Sequence, residues 1–312
     1  MRVLVTGASG FIGTYLVHEL IDHGYEVTAL TRKKQEIHPK AKVVIGDITE
    51  PSTIESYFQD VDAVFHNAAY AMDWGKKDRF YQANVDGTRH VAQACIDHGI
   101  KRLIYTSSAG VYGFPSNDEL ISEDSEKNPL NHYQRTKLLG EQVLDEYPDL
   151  SVSSIRPPMV FGANAPALKI VFSNLQKQKF VYIGSGDQQI SIAHPADVAR
   201  LMRIILEKDV NASVYNVVSF ITPIKSFIDT IADLCGLEPP QRHVSYRLAY
   251  TLAWFSETFI RNPTLTRFRV KSLGTTRRIS AEKAKKELGF APEYDFSRTI
   301  EDIVCWYKDT YF

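Results

Sequence analysis

The chain has 312 residues, enough for one large α/β domain or for a nucleotide-binding domain with a smaller second unit. Its 44% hydrophobic content excludes general disorder, and its formal net charge of −1 gives no argument for a nucleic-acid partner or a strongly anionic membrane. The three cysteines are widely spaced, which is typical of small core residues in a reducing cytoplasm. The nine histidines form no metal-ligand motif, and no apolar run of about 18 residues predicts a membrane span.

The first residues predict a strand, a tight turn and a helix. Residues 3–5 form a short apolar run, three glycines follow, and an apolar-periodic segment extends from Phe11 to about His23, with Gly24 as its C-cap. Glycine lets a pyrophosphate approach the main chain, and the helix start offers free N–H groups to phosphate. The spacing G-x-x-G-x-x-G also fits a simple loop, but its place after a strand favours a dinucleotide site. The residues expected to bind the dinucleotide here are Gly7, Ser9, Gly10, Phe11, Ile12 and Gly13.

Strand and helix patterns continue to alternate through the first half of the chain. The predicted strands are 27–30, 42–45, 61–65, 103–106 and 152–155, and the predicted helices are 54–58, 78–97 and 132–147. This order predicts an α/β fold, namely a Rossmann-type doubly wound parallel sheet covered by helices.

After Gly162 the pattern loosens. The predicted helical segments are 168–179, 197–207, 224–235, 248–260, 284–288 and 300–307, with a strand at 214–218. We expect a NAD(P)-binding domain made of residues 1–163 and about 191–219. A smaller C-terminal substrate-binding cap is expected from about 164–190 and 220–312.

The end of the second strand bears on the choice of cofactor. NAD enzymes usually place Asp or Glu there to bind the ribose 2′-hydroxyl, whereas this chain has Arg32 followed by two lysines. The planar guanidinium of Arg32 suits a 2′-phosphate, so NADP(H) is favoured and NAD(H) is the alternative. The same residues also fit a solvated basic turn.

A catalytic proposal comes from Tyr133 and Lys137, which lie four residues apart and therefore on one helical face. A cation about 4 Å from a phenol, at an effective dielectric near 20, contributes about 4 kcal/mol. That is enough to bring the phenol pKa from about 10 toward neutrality, where general acid–base catalysis is most effective. Ser107 and Ser108 emerge from the carboxyl end of a predicted strand, where ligands of open α/β sheets bind.

These segments together resemble the extended branch of the short-chain dehydrogenase/reductase superfamily. The similar segments are 6–13 (T-G-A-S-G-F-I-G), 84–88 (N-V-D-G-T), 105–113 (Y-T-S-S-A-G-V-Y-G), 133–137 (Y-Q-R-T-K), 156–162 (R-P-P-M-V-F-G) and 194–199 (H-P-A-D-V-A). The resemblance implies that Ser108 orients the substrate oxygen, that Tyr133 passes the proton, and that Lys137 lowers the phenol pKa and holds the nicotinamide ribose. It also implies further cofactor contacts at Asp47, Ile48, Asn67, Ala68, Ala69, Asn84, Thr106, Ser107, Pro157, Met159 and Val160.

Other features bear on the substrate. Sugar dehydratases of the branch carry an acid pair where this chain has Ala109 and Gly110, and sugar-nucleotide epimerases usually place arginine at the position of Ile190. The loop 70–75 and the apolar segment 246–260 resemble steroid-dehydrogenase-like members. Within that segment Leu248, Leu252, Phe255 and Phe259 form a stripe, which fits cap core better than a pocket wall or a contact with lipid. A pocket wall would imply an apolar ketone or alcohol.

The sequence therefore predicts an enzyme, an NAD(P)-dependent oxidoreductase that transfers hydride between nicotinamide and a small secondary alcohol or ketone. A nucleotide-sugar epimerase of the same family is the alternative, and a non-catalytic NADPH-binding scaffold is a third, disfavoured because both Tyr133 and Lys137 are present. By analogy with extended family members we expect a homodimer formed through helices 78–97 and 132–147.

Overall fold

A computed structural model describes residues 1–115, 119–210 and 212–311. Its strands are β1 (Arg2–Thr6), β2 (Glu26–Thr31), β3 (Lys42–Ile45), β4 (Ala63–His66), β5 (Arg102–Thr106), β6 (Ser151–Arg156), β7 (Met159–Val160), β8 (Tyr182–Ile183), β9 (Gln189–Ala193), β10 (Val214–Asn216), β11 (Phe220–Pro223) and β12 (His243–Val244). Its α-helices are α1 (Phe11–Asp22), α2 (Lys77–Tyr81), α3 (Gly87–Asp97), α4 (His132–Asp145), α5 (Pro166–Gln176), α6 (Pro195–Glu207), α7 (Ile224–Leu234), α8 (Tyr246–Phe259), α9 (Arg267–Gly274), α10 (Glu282–Leu288) and α11 (Phe296–Tyr311).

Seven parallel strands form the main sheet, in the order β10-β6-β5-β4-β1-β2-β3. Alternate residues of a strand point to opposite faces, so Val3 and Val5 join one core with α1 and α6, while Leu4 joins the other core with α3. Helices therefore cover both faces, which explains why the strands are nearly continuous apolar runs. The predicted Rossmann-type parallel sheet is confirmed.

Two small sheets lie outside the main one, in the orders β11-β9-β7 and β12-β8. Their neighbours α5, α7 and α11 share an apolar core that includes Phe172, Phe227 and Tyr307. The sequence pattern did not indicate the strands β7, β8, β9, β11 and β12, nor helix α9. Strands of two to five residues carry little periodicity.

Several predicted elements differ in detail. The helix expected over 78–97 is divided by a π-helical turn, Gln82–Asp86, and the helix expected over 54–58 is a 3₁₀ turn at Glu55–Phe58. The strand expected over 214–218 ends at Asn216. Two cysteines are buried as expected, but Cys305 is exposed on α11. The division into two domains stays a prediction.

The sheet order places the candidate site. Strand β1 is followed in space by β2 on one side and by β4 on the other, so the strand order reverses beside β1. Ligands of open α/β sheets bind in the crevice at such a switch point, outside the carboxyl ends of the strands. Gly7, Asn67 and Ser107 follow β1, β4 and β5 directly, and all three reach this crevice.

Candidate active site

A cavity of about 830 Å³ occupies the crevice. The predicted site residues that line it are Gly7, Ser9, Gly10, Phe11, Ile12, Arg32, Asp47, Ile48, Asn67, Ala68, Ala69, Thr106, Ser107, Ser108, Tyr133, Lys137, Pro157 and Val160. The volume and the length of this lining, from Arg32 at one end to Tyr133 at the other, suit a dinucleotide together with a small substrate.

The glycine turn is shaped by contacts between main chains. Gly7 adopts a left-handed φ of +65°, and a Cβ there would lie 2.6 Å from the Ala68 Cα. Gly10 precedes α1, whose first turn contains no acidic residue and no side-chain cap. Its N–H groups and positive dipole end therefore suit the pyrophosphate of a dinucleotide.

Gly13 does not line the cavity. A Cβ at this position would collide with the Gly7 carbonyl oxygen and would lie 2.9 Å from the Ala8 carbonyl carbon. The third glycine therefore permits close packing of α1 against the turn, and its contact with a cofactor stays a prediction.

A chain of hydrogen bonds through the buried side chains of Thr88, His66 and Thr6 reaches the cavity lining at Ala68. The Thr88 hydroxyl donates to the Asn84 carbonyl (2.8 Å), so it accepts from His66 Nε2 (3.0 Å). His66 Nδ1 then accepts from the Thr6 hydroxyl (2.8 Å), whose oxygen accepts the Ala68 N–H (3.1 Å). Burial, with a smaller effect of the Lys137 charge, lowers the pKa of His66 to about 3, so this imidazole is neutral.

Asn84 continues this chain of hydrogen bonds without lining the cavity. Its side-chain oxygen accepts the Tyr70 N–H (2.7 Å), and its amide nitrogen donates to the Thr136 hydroxyl (3.0 Å). Asn84 thus ties the cavity-lining loop at Tyr70 to helix α4 and so buttresses the cavity, while its contact with a cofactor stays a prediction.

The two candidate contacts at the adenosine end, Asp47 and Arg32, differ in how firmly the protein holds their side chains. The Asp47 carboxylate accepts from the Thr49 N–H and hydroxyl (2.9 Å each), while the exposed Arg32 lies at the cavity edge directly after β2. Ile48 is buried against Gly87 of α3. The first three residues after β2 are Arg32 and two lysines, which is the charge pattern that suits a 2′-phosphate.

Ser108, Tyr133 and Lys137 meet at the opposite end of the cavity. Asn131 caps helix α4 by accepting the Gln134 N–H (2.9 Å), which fixes the first turn that carries Tyr133. Lys137 is 1% exposed, and its ammonium lies 4.1 Å from the centroid of the Tyr105 ring. Burial lowers the pKa of Lys137 to about 7, against an opposing effect of Glu141.

The pKa of Tyr133 is raised, not lowered as the sequence argument expected. Burial of the phenol is the larger effect, and a hydrogen bond with Ser108 only partly offsets it. Desolvation penalises the charged phenolate, so the surroundings of the ring outweigh the expected effect of the lysine four residues away.

A buried ionic network lies behind Ser107, and the sequence analysis missed it. Ser107 donates to Glu141, which also accepts two hydrogen bonds from Arg156 (2.8 and 2.6 Å). Arg156 donates in turn to Tyr112 (2.8 Å), which donates to Asn216 (2.9 Å). Glu141 follows Lys137 by four residues, so the spacing places its carboxylate on the same face of α4, but nothing local to either segment indicated its pairing with Arg156 of β6.

Other parts of the lining were also missed or misplaced. Tyr70, Arg79, Gln82, Ala83, Pro166 and Ala167 line the cavity. Met159 is not among the lining residues, and its side chain packs against the core formed by α5, α7 and α11; the contact predicted for its main chain stays a prediction. Gln82 and Ala83 immediately precede Asn84, and this proximity was the one available signal for them.

Arg277 is a cation that takes no part in the ion pairs found among the described residues. Ile190 is a buried core residue of β9, and Arg277 is paired beside it through a backbone bridge. The Arg277 guanidinium lies 5.1 Å from the Phe114 ring and reaches the Gly113 carbonyl (3.5 Å), with no carboxylate partner in the described part of the chain. Burial lowers its pKa to about 10.

Comparison with known proteins places the chain in a family. The NAD dependent epimerase/dehydratase family matches residues 3–218. The mouse (Mus musculus) decarboxylating sterol-4-alpha-carboxylate 3-dehydrogenase is 28% identical over 325 residues, covering 97% of this chain and 90% of that protein. A 2-alkyl-3-oxoalkanoate reductase of Stenotrophomonas maltophilia is 28% identical over 331 residues, covering 97% and 98%.

Solved structures share the fold. The UDP-glucuronic acid 4-epimerase of Bacillus cereus, in complex with NAD, has a TM-score of 0.81 at 22% identity and covers 100% of both chains. Sequence match, parallel sheet and site geometry agree. The chain belongs to the NAD dependent epimerase/dehydratase family and is an enzyme of the extended short-chain dehydrogenase/reductase type.

Proposed function

We propose that this enzyme is an oxidoreductase that interconverts a secondary alcohol and a ketone, with Tyr133 as its general acid and base. The observation that carries this proposal is that Ser108, Tyr133 and Lys137 line the same cavity as the Gly7–Gly10 turn. A nicotinamide cofactor bound there supplies or accepts the hydride, and the side chains handle the substrate oxygen.

Each side chain has a distinct part in this scheme. The raised pKa of Tyr133 keeps its phenol protonated at neutral pH, which is the form that donates a proton to the oxygen of a ketone. Ser108 lowers the pKa of that phenol, lines the same cavity and is placed to orient the same substrate oxygen. The Lys137 ammonium stabilises the phenolate that remains after the proton has left.

The substrate class is suggested by the similar enzymes and by Arg277. The names of both relatives describe a carboxylate on the carbon next to the reacting carbon, in a molecule with an apolar body. Arg277 is a partly buried cation without a carboxylate partner among the described residues, beside Gly113 and Phe114. We therefore favour an apolar 3-oxo or 3-hydroxy acid as the substrate. The test compares the turnover of such acids with that of their uncharged ketone analogues, followed by NADPH absorbance. Faster turnover of the uncharged ketones would contradict the acid.

Tyr133→Phe tests the catalytic assignment, because it removes the proton and keeps the ring. We expect turnover of ketones to fall by about 10²-fold or more, with unchanged NADPH affinity by fluorescence titration. Tyr25→Phe, a distant tyrosine that donates to Glu207, is the matched control. Retained turnover in Tyr133→Phe contradicts the proposal. NADPH binding without turnover of any ketone by the wild-type enzyme supports the scaffold alternative instead.

For the cofactor we propose a preference for NADP(H), with NAD(H) as the alternative. The support is Arg32 at the cavity edge with no acid at the end of β2. Several structures of the same fold contain NAD, as does the Bacillus cereus epimerase. A lower KM for NADPH than for NADH supports the preference, and the reverse order rejects it.

The second candidate is a nucleotide-sugar epimerase. The observation in its favour is Arg277, whose charge stands next to Ile190 and suits a diphosphate as well as a carboxylate. A rise of the melting temperature with UDP or TDP, absent with free phosphate, would favour the epimerase.

We also propose a homodimer built on α2–α3 and α4, and a substrate-binding unit made of about 164–190 and 220–312. The dimer rests on analogy, and sedimentation equilibrium that detects only monomer would overturn it. The substrate-binding unit is supported by the position of Arg277, and ligand-induced protection from hydrogen exchange confined to residues 1–163 would contradict it.

The cytoplasmic location stays a prediction, to be tested by cell fractionation. None of the described helices is long and apolar enough to cross a membrane.

A further inference from the structure

Helix α8 presents its large apolar side chains to solvent. The side that packs on the protein carries the small residues Ala249 and Ala253, which contact the core containing Val270 and Ile183. The periodic apolar pattern predicts cap core for this stripe, and the exposure of its residues shows that prediction to be wrong. The stripe residues and their exposed fractions are Leu248 52%, Leu252 48%, Phe255 48% and Phe259 76%.

The exposed stripe is continuous along the helix. Its residues are spaced by four, three and four positions, so they lie within about 60° of one another around the axis. Trp254 and Ile260 are also about half exposed, and the rings of Phe255 and Phe259 stack at 6.2 Å between centroids. A face of this size along a helix about 21 Å long exceeds the isolated apolar residues normal on a surface.

The segment around α8 is strongly basic, although the whole chain carries 36 basic and 37 acidic residues. Residues 241–280 contain one carboxylate, Glu257, which is paired with Arg267 at 2.5 Å. Arg242, Arg247 and Arg261 are exposed near the two ends of the helix. The eight cations of this segment are Arg242, Arg247, Arg261, Arg267, Arg269, Lys271, Arg277 and Arg278.

We propose that the exposed face of α8 docks on the surface of an anionic lipid bilayer. Leucine and phenylalanine side chains of the stripe enter the boundary between headgroups and acyl chains, while the flanking arginines bind lipid phosphates. Charge complementarity favours this partner over a second copy of the chain, because two copies would bring equally basic segments together. The contact is peripheral, with the helix lying in the plane of the surface.

The docking face is connected to the candidate active site. Trp74 donates to the Arg261 carbonyl (3.3 Å) directly after α8, and Asp73 is paired with Arg269 of α9 (2.9 Å). These two residues belong to the same loop as Tyr70 and Ala71, which line the cavity. Docking therefore holds a wall of the cavity close to the lipid surface.

Vesicle co-sedimentation of the full chain tests the proposal. We expect binding to phosphatidylcholine vesicles containing about 30 mol % phosphatidylglycerol, weaker binding to phosphatidylcholine alone, and loss of binding in about 0.5 M NaCl. Leu248→Ser should weaken partitioning roughly tenfold, since a large apolar side chain no longer enters the lipid. Arg247→Gln should weaken it about fivefold on the anionic vesicles.

Leu234→Ser is the matched control, because Leu234 on α7 is exposed to the same 52% as Leu248. It should leave partitioning within about twofold of the wild type. Equal losses in Leu234→Ser and Leu248→Ser would overturn the proposal, as would a wild-type chain that ignores anionic vesicles at low salt. Sedimentation velocity tests the alternative partner. An oligomer that is dissociated by Leu248→Ser would assign the exposed face of α8 to a second copy of the chain.

Discussion

At the scale of single residues, the site is defined by Lys137 and Tyr133, two groups for which desolvation disfavours the charged form. The pKa of Lys137 is lowered to about 7, and the pKa of Tyr133 is raised, both chiefly because desolvation penalises the charged form. His66 beneath them is neutral because of the same effect. A partly charged lysine beside a protonated phenol is the electrostatic state from which the proposed proton transfer starts.

The lowered pKa of Lys137 predicts a specific dependence of stability on pH. Between about pH 7 and 10 the unfolded chain binds this proton and the folded chain does not, so the free energy of unfolding rises with pH in that window. Lys137→Met removes the destabilising effect of the buried lysine. The free energy of unfolding of this variant should therefore exceed that of the wild type by more at pH 7 than at pH 10. Urea unfolding of both cofactor-free proteins measures it. Lys208→Met, at an exposed lysine, should follow the wild type, and parallel curves for Lys137→Met would contradict the assignment.

At the scale of elements, helix α4 decides the geometry of the site because it carries Tyr133, Lys137 and Glu141. It crosses the π-helical turn Gln82–Asp86 at Gly140, where a Cβ would collide with the Tyr105 hydroxyl and lie 2.9 Å from the Asn84 carbonyl oxygen. The π turn in turn aims Asn84 at the Thr136 hydroxyl. A close helix crossing and a local distortion together set where the phenol and the ammonium stand.

Gly140→Ala tests this crossing, because the added methyl group has no space against buried backbone. We expect a loss of about 1–3 kcal/mol in the free energy of unfolding and a lower kcat, since α4 must move. Gln142→Ala, exposed on the same helix, should change neither quantity much. If thermal and chemical unfolding of Gly140→Ala match the wild type, the close approach does not constrain α4 in solution.

At the scale of the whole molecule, the C-terminal helix joins distant segments at one carboxylate. Asp302 of α11 accepts the Ala163 N–H (2.6 Å) after β7 and hydrogen-bonds the buried His194 (3.0 Å) at the start of α6. Tyr294 stacks on the same imidazole at 3.6 Å between centroids. The site end of the main sheet and the C-terminal region are thus held together by a few buried polar contacts.

Asp302→Ala should therefore destabilise the whole chain, since it leaves the buried His194 ring and the half-buried Ala163 N–H without their acceptor. A loss of about 2 kcal/mol or more in the free energy of unfolding is expected. Asp309→Ala, exposed further along α11, provides the comparison and should stay within about 0.5 kcal/mol of the wild type. Similar losses in both variants would show that helix α11 as a whole, and not the carboxylate of Asp302, provides the contact.

The sequence alone determined the fold class and most of the candidate cavity lining. Buried strands read as apolar runs, glycine and proline mark turns, and the spacing of Tyr133 and Lys137 follows directly from helical periodicity. These are local properties, and the main sheet, the glycine turn and the Ser108–Tyr133–Lys137 group agree with them.

Only the tertiary structure decided features that depend on contacts between distant segments. Gly13 and Asn84 support the cavity without lining it, and the pairing of Glu141 with Arg156 connects α4 to β6. The stripe on α8 faces outward, because a periodic apolar pattern identifies an amphipathic face but cannot say whether that face meets its own core or solvent. Burial likewise reversed the expected direction of the Tyr133 pKa, because desolvation depends on the atoms that surround a group and not on its neighbours in sequence.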